Sequence, residues 1–276
     1  MNAPLQCGHF QLALDRPLIM GIVNLTDDSF SGDGLRGQAL KAIAHGLRMA
    51  EEGADLLDLG AESSRPGAEP VSEQQEMDRL LPVIEGLREC GIPLSVDTVK
   101  PGIMSVALSA GADMINDIFA LQAPGAFEAV AASNAAVCLM HMQGEPRTMQ
   151  SDPRYGDVVT EVASFLDSRV AACMAAGIDK NRIVIDPGFG FGKTLAHNLA
   201  LLRHLDRLAR SGLPVLAGLS RKSMFGLITG HPIGDRMPAS IAAALLAVQR
   251  GAAMVRVHDV AATRDALLVM KAIEGN

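Results

Sequence analysis

Eight short apolar runs recur along the chain, and each closes on a polar residue. They begin at Leu18, Leu56, Pro93, Asp113, Ala136, Arg182, Val215 and Ala253. In the same order they close on Asn24, Asp58, Asp97, Asn116, His141, Asp186, Ser220 and Arg256. Runs this short, between turn-forming residues, predict buried strands rather than helices. Helical periodicity fills much of the space between them, at about residues 38–52, 72–90, 98–110 and 158–176, with a last helix to about 273. Ser72-x-x-Gln75 predicts a capping box at the head of the second of these. Strand alternating with helix means parallel strands joined by right-handed crossovers. Eight such units predict an α/β chain of the (β/α)8 TIM-barrel class, with a doubly wound sheet as the alternative. Residues around His9-Phe10-Gln11-Leu12 predict a short N-terminal hairpin ahead of it. No linker or shift of composition divides residues 1–276, so a single domain is expected.

The polar ends carry the chemistry. In a barrel, positions just past separate strands converge on one mouth, where such enzymes keep catalytic groups. Asp or Asn after a strand also serves as an N-cap for the next helix, but caps do not explain eight polar ends out of eight. The second strand empties into Ala61-Glu62-Ser63-Ser64-Arg65-Pro66-Gly67-Ala68, whose hydroxyls and guanidinium suit an oxyanion. Arg256-x-His258 alternates along a strand end, so both side chains point the same way and can clamp an anion.

Composition narrows the partners. Among 276 residues, 49% are hydrophobic, enough for a large core, while aromatics are 3% and Trp is absent, which argues against nucleic-acid stacking platforms. A net charge of -7 argues against a general nucleic-acid or anionic-membrane footprint. An anionic substrate therefore needs a local cluster of cations or a metal. Cys7, Cys90, Cys138 and Cys173 are widely spaced and read as buried reduced thiols of a cytoplasmic protein. No basic-then-apolar leader is evident, and no apolar stretch reaches membrane-spanning length.

Residues 187–194 imitate two phosphate motifs and fit neither. Pro187 stands where a P-loop needs its first glycine, and Lys193 stands where a dinucleotide fingerprint needs its last. These glycines instead allow backbone and Phe191 to lie close to a flat ligand. No His or carboxylate spacing suits zinc. Mg²⁺ held mostly by substrate phosphate and one protein oxygen stays open, with Asn24 a candidate for that oxygen.

Taken in order, several segments resemble the dihydropteroate synthases of the pterin-binding barrel superfamily, from Met20 to the last helix. They are Met20-Gly21-Ile22-Val23-Asn24-Leu25-Thr26 with Asp28-Ser29-Phe30-Ser31, residues 60–67, Ser95-Val96-Asp97-Thr98, Ile115-Asn116-Asp117, residues 185–193 and Ser220-Arg221-Lys222-Ser223. The resemblance implies condensation of 6-hydroxymethyl-7,8-dihydropterin diphosphate with 4-aminobenzoate, assisted by Mg²⁺, in a homodimer. It implies that Asp97, Asn116, Asp186 and Lys222 read the pterin edge, between Met140, Phe191 and Gly218. It implies a diphosphate and Mg²⁺ site of Asn24, Arg256 and His258 with Ser63 or Ser64. Phe30, Ser64, Arg65, Pro66, Ser220 and Lys222 would shape the 4-aminobenzoate end, which sulfonamides imitate in that family. Asp58 is expected among the substrate-binding residues, and Asp97, Asp186, Lys222, Arg256 and His258 as the catalytic set.

The chain departs from the family pattern in its first loop. The family's Thr-Pro-Asp-Ser-Phe-Ser-Asp-Gly-Gly reads Thr26-Asp27-Asp28-Ser29-Phe30-Ser31-Gly32-Asp33-Gly34 here, with a proline lost and an acidic residue displaced by one. Two rivals share the barrel: a methyltetrahydrofolate:corrinoid methyltransferase, which has no use for Ser63-Ser64-Arg65-Pro66, and a non-catalytic pterin-binding paralogue, which the altered first loop alone favours. A generic phosphate-substrate barrel enzyme would not need the pterin-type set.

Overall fold

The structure, a computed structural model, describes residues 3–25, 34–63 and 70–275. Ten strands are described. β1 (Leu5–Cys7) and β2 (Phe10–Leu12) form an antiparallel hairpin around Gly8, whose φ of 60° makes the turn. The other eight are β3 (Leu18–Asn24), β4 (Leu56–Gly60), β5 (Leu94–Asp97), β6 (Met114–Asp117), β7 (Ala136–Met140), β8 (Ile183–Asp186), β9 (Leu216–Ala217) and β10 (Met254–Val257). They pair in parallel in the order β8-β7-β6-β5-β4-β3-β10-β9. A parallel bridge between Ile185 and Val215 closes the ring, supported by the Ile185 N–H donating to the Pro214 carbonyl at 3.0 Å. This is the expected (β/α)8 barrel with its hairpin. β9 is only two residues long, and a turn at Ser220 and Arg221 follows Gly218 and Leu219.

Side chains alternate along each strand, and the alternation builds two cores. Met20, Leu56, Met114, Cys138, Val184, Leu216 and Met254 fill the inside of the ring. Leu5 and Cys7 of the hairpin join them from the N-terminal end, where the Cys7 thiol meets the Asp113 carbonyl just ahead of β6. The opposite faces of the same strands, including Ile19, Leu57, Leu59, Val96, Ile115, Val137 and Ile185, pack beneath the helices. Each such side chain stabilises the fold by roughly 1.5–3 kcal/mol.

The helices are α1 (Gly34–Glu51), α2 (Glu73–Leu87), α3 (Pro101–Ala110), α4 (Ala126–Ala131), α5 (Val158–Ala175), α6 (Leu195–Arg203), α7 (Leu205–Ala209), α8 (Ser223–Thr229), α9 (Met237–Gln249) and α10 (Val260–Glu274). Ser72 and Gln75 form the expected capping box at the start of α2, with the Gln75 N–H donating to Ser72 Oγ and the Ser72 N–H to Gln75 Oε1. Cys7, Cys138 and Cys173 are buried free thiols as expected, and burial raises all three thiol pKa values, which leaves them inert. Cys90 is only half-buried. Among the described residues no helix is long and apolar enough to cross a membrane.

Candidate active site

The inward rows of the barrel change character as they rise. Apolar side chains fill the lower layers, and polar ones take over at the C-terminal ends of the strands. Pairing aligns Gly60 with Asp97 and Asp97 with Asn116, and sets Met140 beside Asp186, so these positions lie around one rim. Above it opens a cavity of about 780 Å³. Asn24, Ser63, Asp97, Asn116, Met140, Asp186, Phe191, Gly218, Ser220, Lys222, Arg256 and His258 all line it. Sequence reasoning had singled out each of these. Phe30, Ser64, Arg65 and Pro66, with residues 26–33 of the altered first loop, lie outside the described residues.

Two expected members sit elsewhere, and the strand period explains both. Asp58 precedes Gly60 by two residues, so it faces the same interior but one layer deeper, opposite Ser95. It is fully buried, and its carboxylate accepts from Ser95 Oγ at 2.6 Å, Asn116 Nδ2 at 3.1 Å and Arg256 Nε at 2.6 Å. It holds residues that face the cavity rather than lining the cavity itself. His141 follows the inward Met140 by one residue and therefore points out of the ring. Its ring packs edge-on against Phe165 at 4.9 Å, and burial with the nearby Lys193 pushes its pKa down to about 3.

The cavity has one charged wall and one apolar wall. On the charged side, Arg256 donates through its other arm to Asp97 at 3.0 Å, tying Asp58 and Asp97 to a single guanidinium. Burial pushes the Asp97 carboxyl up to about 7, against the pull of Arg256. Burial also raises Asp186, offset by the Gly188 N–H, which donates to its Oδ1 at 2.7 Å, and by Lys222. The Lys222 ammonium lies over the Phe191 ring, 4.2 Å from its centre, a cation–π contact. Burial lowers its pKa to about 8, against the opposing effect of Asp186. Ser220 Oγ lies 2.9 Å from His258 Nδ1 and also accepts from the His258 N–H, joining the ends of β9 and β10. On the apolar side, Met140 and Phe191 cluster with Ile118 and Met149.

Two glycines of the loop after β8 have no room for a side chain. A Cβ at Gly188 would fall 1.9 Å from the His141 carbonyl oxygen, and one at Gly192 would fall 2.3 Å from that of Gln143. The loop therefore lies backbone to backbone on the segment after β7. Lys193, the mismatch in the dinucleotide fingerprint, fastens it: its buried Nζ donates to the carbonyls of His141, Gly188 and Phe191 at 2.9–3.2 Å. Sequence reasoning missed this residue's role. It also missed Ile22, Ile118, Met149, Gln150 and Arg221 in the lining. Ile22 had a signal, since it lies two residues before Asn24 on β3 and so faces the same way. Met149 and Gln150 come from an irregular segment with no period to read.

The donor set around Asn24 bears on Mg²⁺. Among the described residues no group of three or more His, Cys, Asp or Glu side chains could hold a metal ion. A lone amide oxygen at the rim fits a cation that brings phosphate and water ligands with it, and does not fit a metal held by protein alone.

A family model described as "Pterin binding enzyme" matches residues 20–258. The dihydropteroate synthase of Neisseria meningitidis serogroup B is 52% identical over 275 residues, covering 97% of this chain and 96% of its own. The chain belongs to the dihydropteroate synthases of the pterin-binding enzyme family. A solved dihydropteroate synthase from Xanthomonas albilineans, with 4-aminobenzoic acid, superposes with a TM-score of 0.94 at 54% identity, covering 100% of both chains. The Burkholderia cenocepacia dihydropteroate synthase complexed with 7,8-dihydropteroate gives 0.91 at 51% identity, covering 99% of this chain and 97% of that one. The expected family and fold are thus those found, over nearly the whole chain.

Proposed function

We propose that the cavity condenses 6-hydroxymethyl-7,8-dihydropterin diphosphate with 4-aminobenzoate, giving 7,8-dihydropteroate and diphosphate. The observation that carries this reading is the row of Asp97, Asn116, Asp186 and Lys222 facing the wall of Met140, Ile118, Met149 and Phe191. A flat heterocycle edged with alternating donors and acceptors matches such a slot. The 4-aminobenzoic acid and 7,8-dihydropteroate held by the Xanthomonas albilineans and Burkholderia cenocepacia relatives support one substrate and the product.

The chemistry breaks the carbon–oxygen bond to diphosphate and forms a carbon–nitrogen bond to the aryl amine, which loses a proton. Positive charge grows on the pterin methylene, and the carboxylates of Asp97 and Asp186 favour it. Negative charge grows on diphosphate, where Arg256 and His258 provide preorganised donors. Asp58 and Asp97 keep the Arg256 guanidinium oriented before substrate arrives. Asn24 is the protein oxygen for Mg²⁺, which when bound neutralises diphosphate charge.

We also infer a homodimer. Leu227 and Ile228 of α8, Leu246 of α9, and Leu268, Val269 and Ile273 of α10 are exposed, on helices that pack against one another in that order. An apolar face of this kind suits a second copy of the chain. The free cysteines fit a reducing, cytoplasmic compartment.

The test is diphosphate release from dihydropterin diphosphate, with and without 4-aminobenzoate and Mg²⁺. Release that requires both, with an equal amount of dihydropteroate, is expected. Pterin binding without turnover would overturn the reading in favour of a non-catalytic paralogue.

A further inference from the structure

Three non-glycine residues among those described have a left-handed backbone: Ala120, Leu121 and Arg221, at φ of 53°, 56° and 56°. Such a conformation costs of order 1–3 kcal/mol and persists only where its surroundings over-determine it. Ala120 and Leu121 are accounted for by packing away from the cavity. The Asp117 carboxylate accepts from Phe119 and Leu121 N–H groups, and Arg169 donates to the carbonyls of Ala120 and Leu121. Arg221 is different, because it lines the cavity between two residues already placed in it, Ser220 and Lys222.

Four contacts hold Arg221. Its N–H donates to Ser240 Oγ at 2.8 Å, and its carbonyl accepts from Arg236 at 3.3 Å. Its side chain forms a two-pronged fork on Asp259, with Nε to Oδ2 at 3.2 Å and a terminal nitrogen to Oδ1 at 2.6 Å. Asp259 directly follows His258. The fork thus ties the turn after β9 to the turn after β10, alongside the contact between Ser220 and His258. A two-pronged Arg–carboxylate pair fixes orientation as well as distance, which one charge on another does not.

We propose that Arg221 and Asp259 are positioning residues for this reaction: their fork locks the left-handed turn at Arg221 and so aims Lys222 at the pterin slot and Ser220 at His258. The inference rests on the proposed synthase reading. It assigns no contact with substrate to either residue.

The test uses the full-length protein and three variants, Asp259→Asn, Arg221→Ala and Arg221→Gly. Each is followed by thermal unfolding, by kcat and KM for both substrates, and by the pH dependence of kcat/KM. Lys222 faces Asp186, Arg256 and Asp97, with Lys193 nearby and Phe191 beneath it, and these surroundings hold its pKa near 8. A displaced Lys222 leaves them, so the alkaline limb of the profile moves upward toward the ordinary lysine range. For Asp259→Asn we expect that shift together with a loss of about 10- to 100-fold in kcat/KM for the dihydropterin diphosphate, the scale of a small misplacement. Arg221→Gly accepts the left-handed backbone without strain, so it should melt above Arg221→Ala yet keep the shifted limb. A wild-type limb in Asp259→Asn, or a limb restored by Arg221→Gly, overturns the inference while wild-type turnover stands. Absence of turnover in the wild type overturns the synthase reading instead.

Discussion

Replacing Asp58 by Asn changes one charge at a fully buried point and almost nothing else. The amide oxygen can keep the bonds from Asn116 and Arg256, and the amide N–H₂ can donate to a reoriented Ser95 hydroxyl. What is lost is the carboxylate partner of Arg256, which is left with Asp97 alone. Breaking a buried ion pair outright costs about 3–5 kcal/mol; with Asp97 still present we expect about 2–3 kcal/mol. For a domain of this size that is a fall in Tm of roughly 5–10 °C. The charge of Asp58 also helps push Asp97 upward, so its removal lowers the Asp97 pKa from about 7. The sign for stability follows. A carboxyl raised from 3.8 to about 7 costs the fold when ionised, so its cost is full above pH 7 and fades as pH falls toward 4. In the variant that fading should begin at lower pH. Thermal unfolding of the unliganded protein across this range, with pterin titrations alongside, measures both effects. A Tm equal to the wild type's, or an Asp97 transition at higher pH, would refute the role given to Asp58.

Three further outcomes are expected. Lys193→Met leaves the carbonyls of His141, Gly188 and Phe191 without their shared donor, so Tm should fall and calorimetry should show weaker pterin binding as Phe191 loosens; unaltered binding would separate the loop from the slot. Lys100→Met removes the ammonium that donates to Glu62 at 2.5 Å, Glu76 at 2.6 Å and the Val71 carbonyl at 2.7 Å. Glu76 is fully buried with Oε1 unpaired, so chemical denaturation should show a loss of about 3–5 kcal/mol, largely recovered by adding Glu76→Gln. Gly188→Ala puts a Cβ against the His141 carbonyl oxygen at a φ of 67°, and should lower Tm more than Gly91→Ala, where no atom lies within 4 Å.

How much was legible in the sequence follows from which residues obey a period. Strand residues do. The ends at Asn24, Asp97, Asn116, Asp186 and Arg256 stand on inward rows, and the cavity collects all five. Two positions fall elsewhere, and both are matters of phase. A polar residue at a run's end is not necessarily an inward one, and His141 lies one step past Met140. An inward polar residue is not necessarily at the rim, and Asp58 lies one layer below Gly60. Loop residues obey no period, so Met149 and Gln150 were invisible. Arg221 was invisible for another reason: its surroundings, not its residue type, put it in the left-handed region.

The same alternation that packs the lower barrel also gathers charge at its top. Asp97 and Asp186 lie near Lys222 and Lys193, and burial moves their ordinary pKa values toward each other. Asp97 rises to about 7 while Lys222 falls to about 8 and Lys193 to about 7. On the proposed reading, a slot of this kind would receive an uncharged pterin edge through hydrogen bonds and would supply charge as the methylene–oxygen bond separates into cation and diphosphate. Arg256 is the exception that anchors the set. Burial works against its charge, but Asp58 and Asp97 outweigh that and raise its pKa, so its guanidinium stays charged throughout. Fixed charge therefore stands where Arg256 sits at the rim with His258, and adjustable charge stands around the pterin slot.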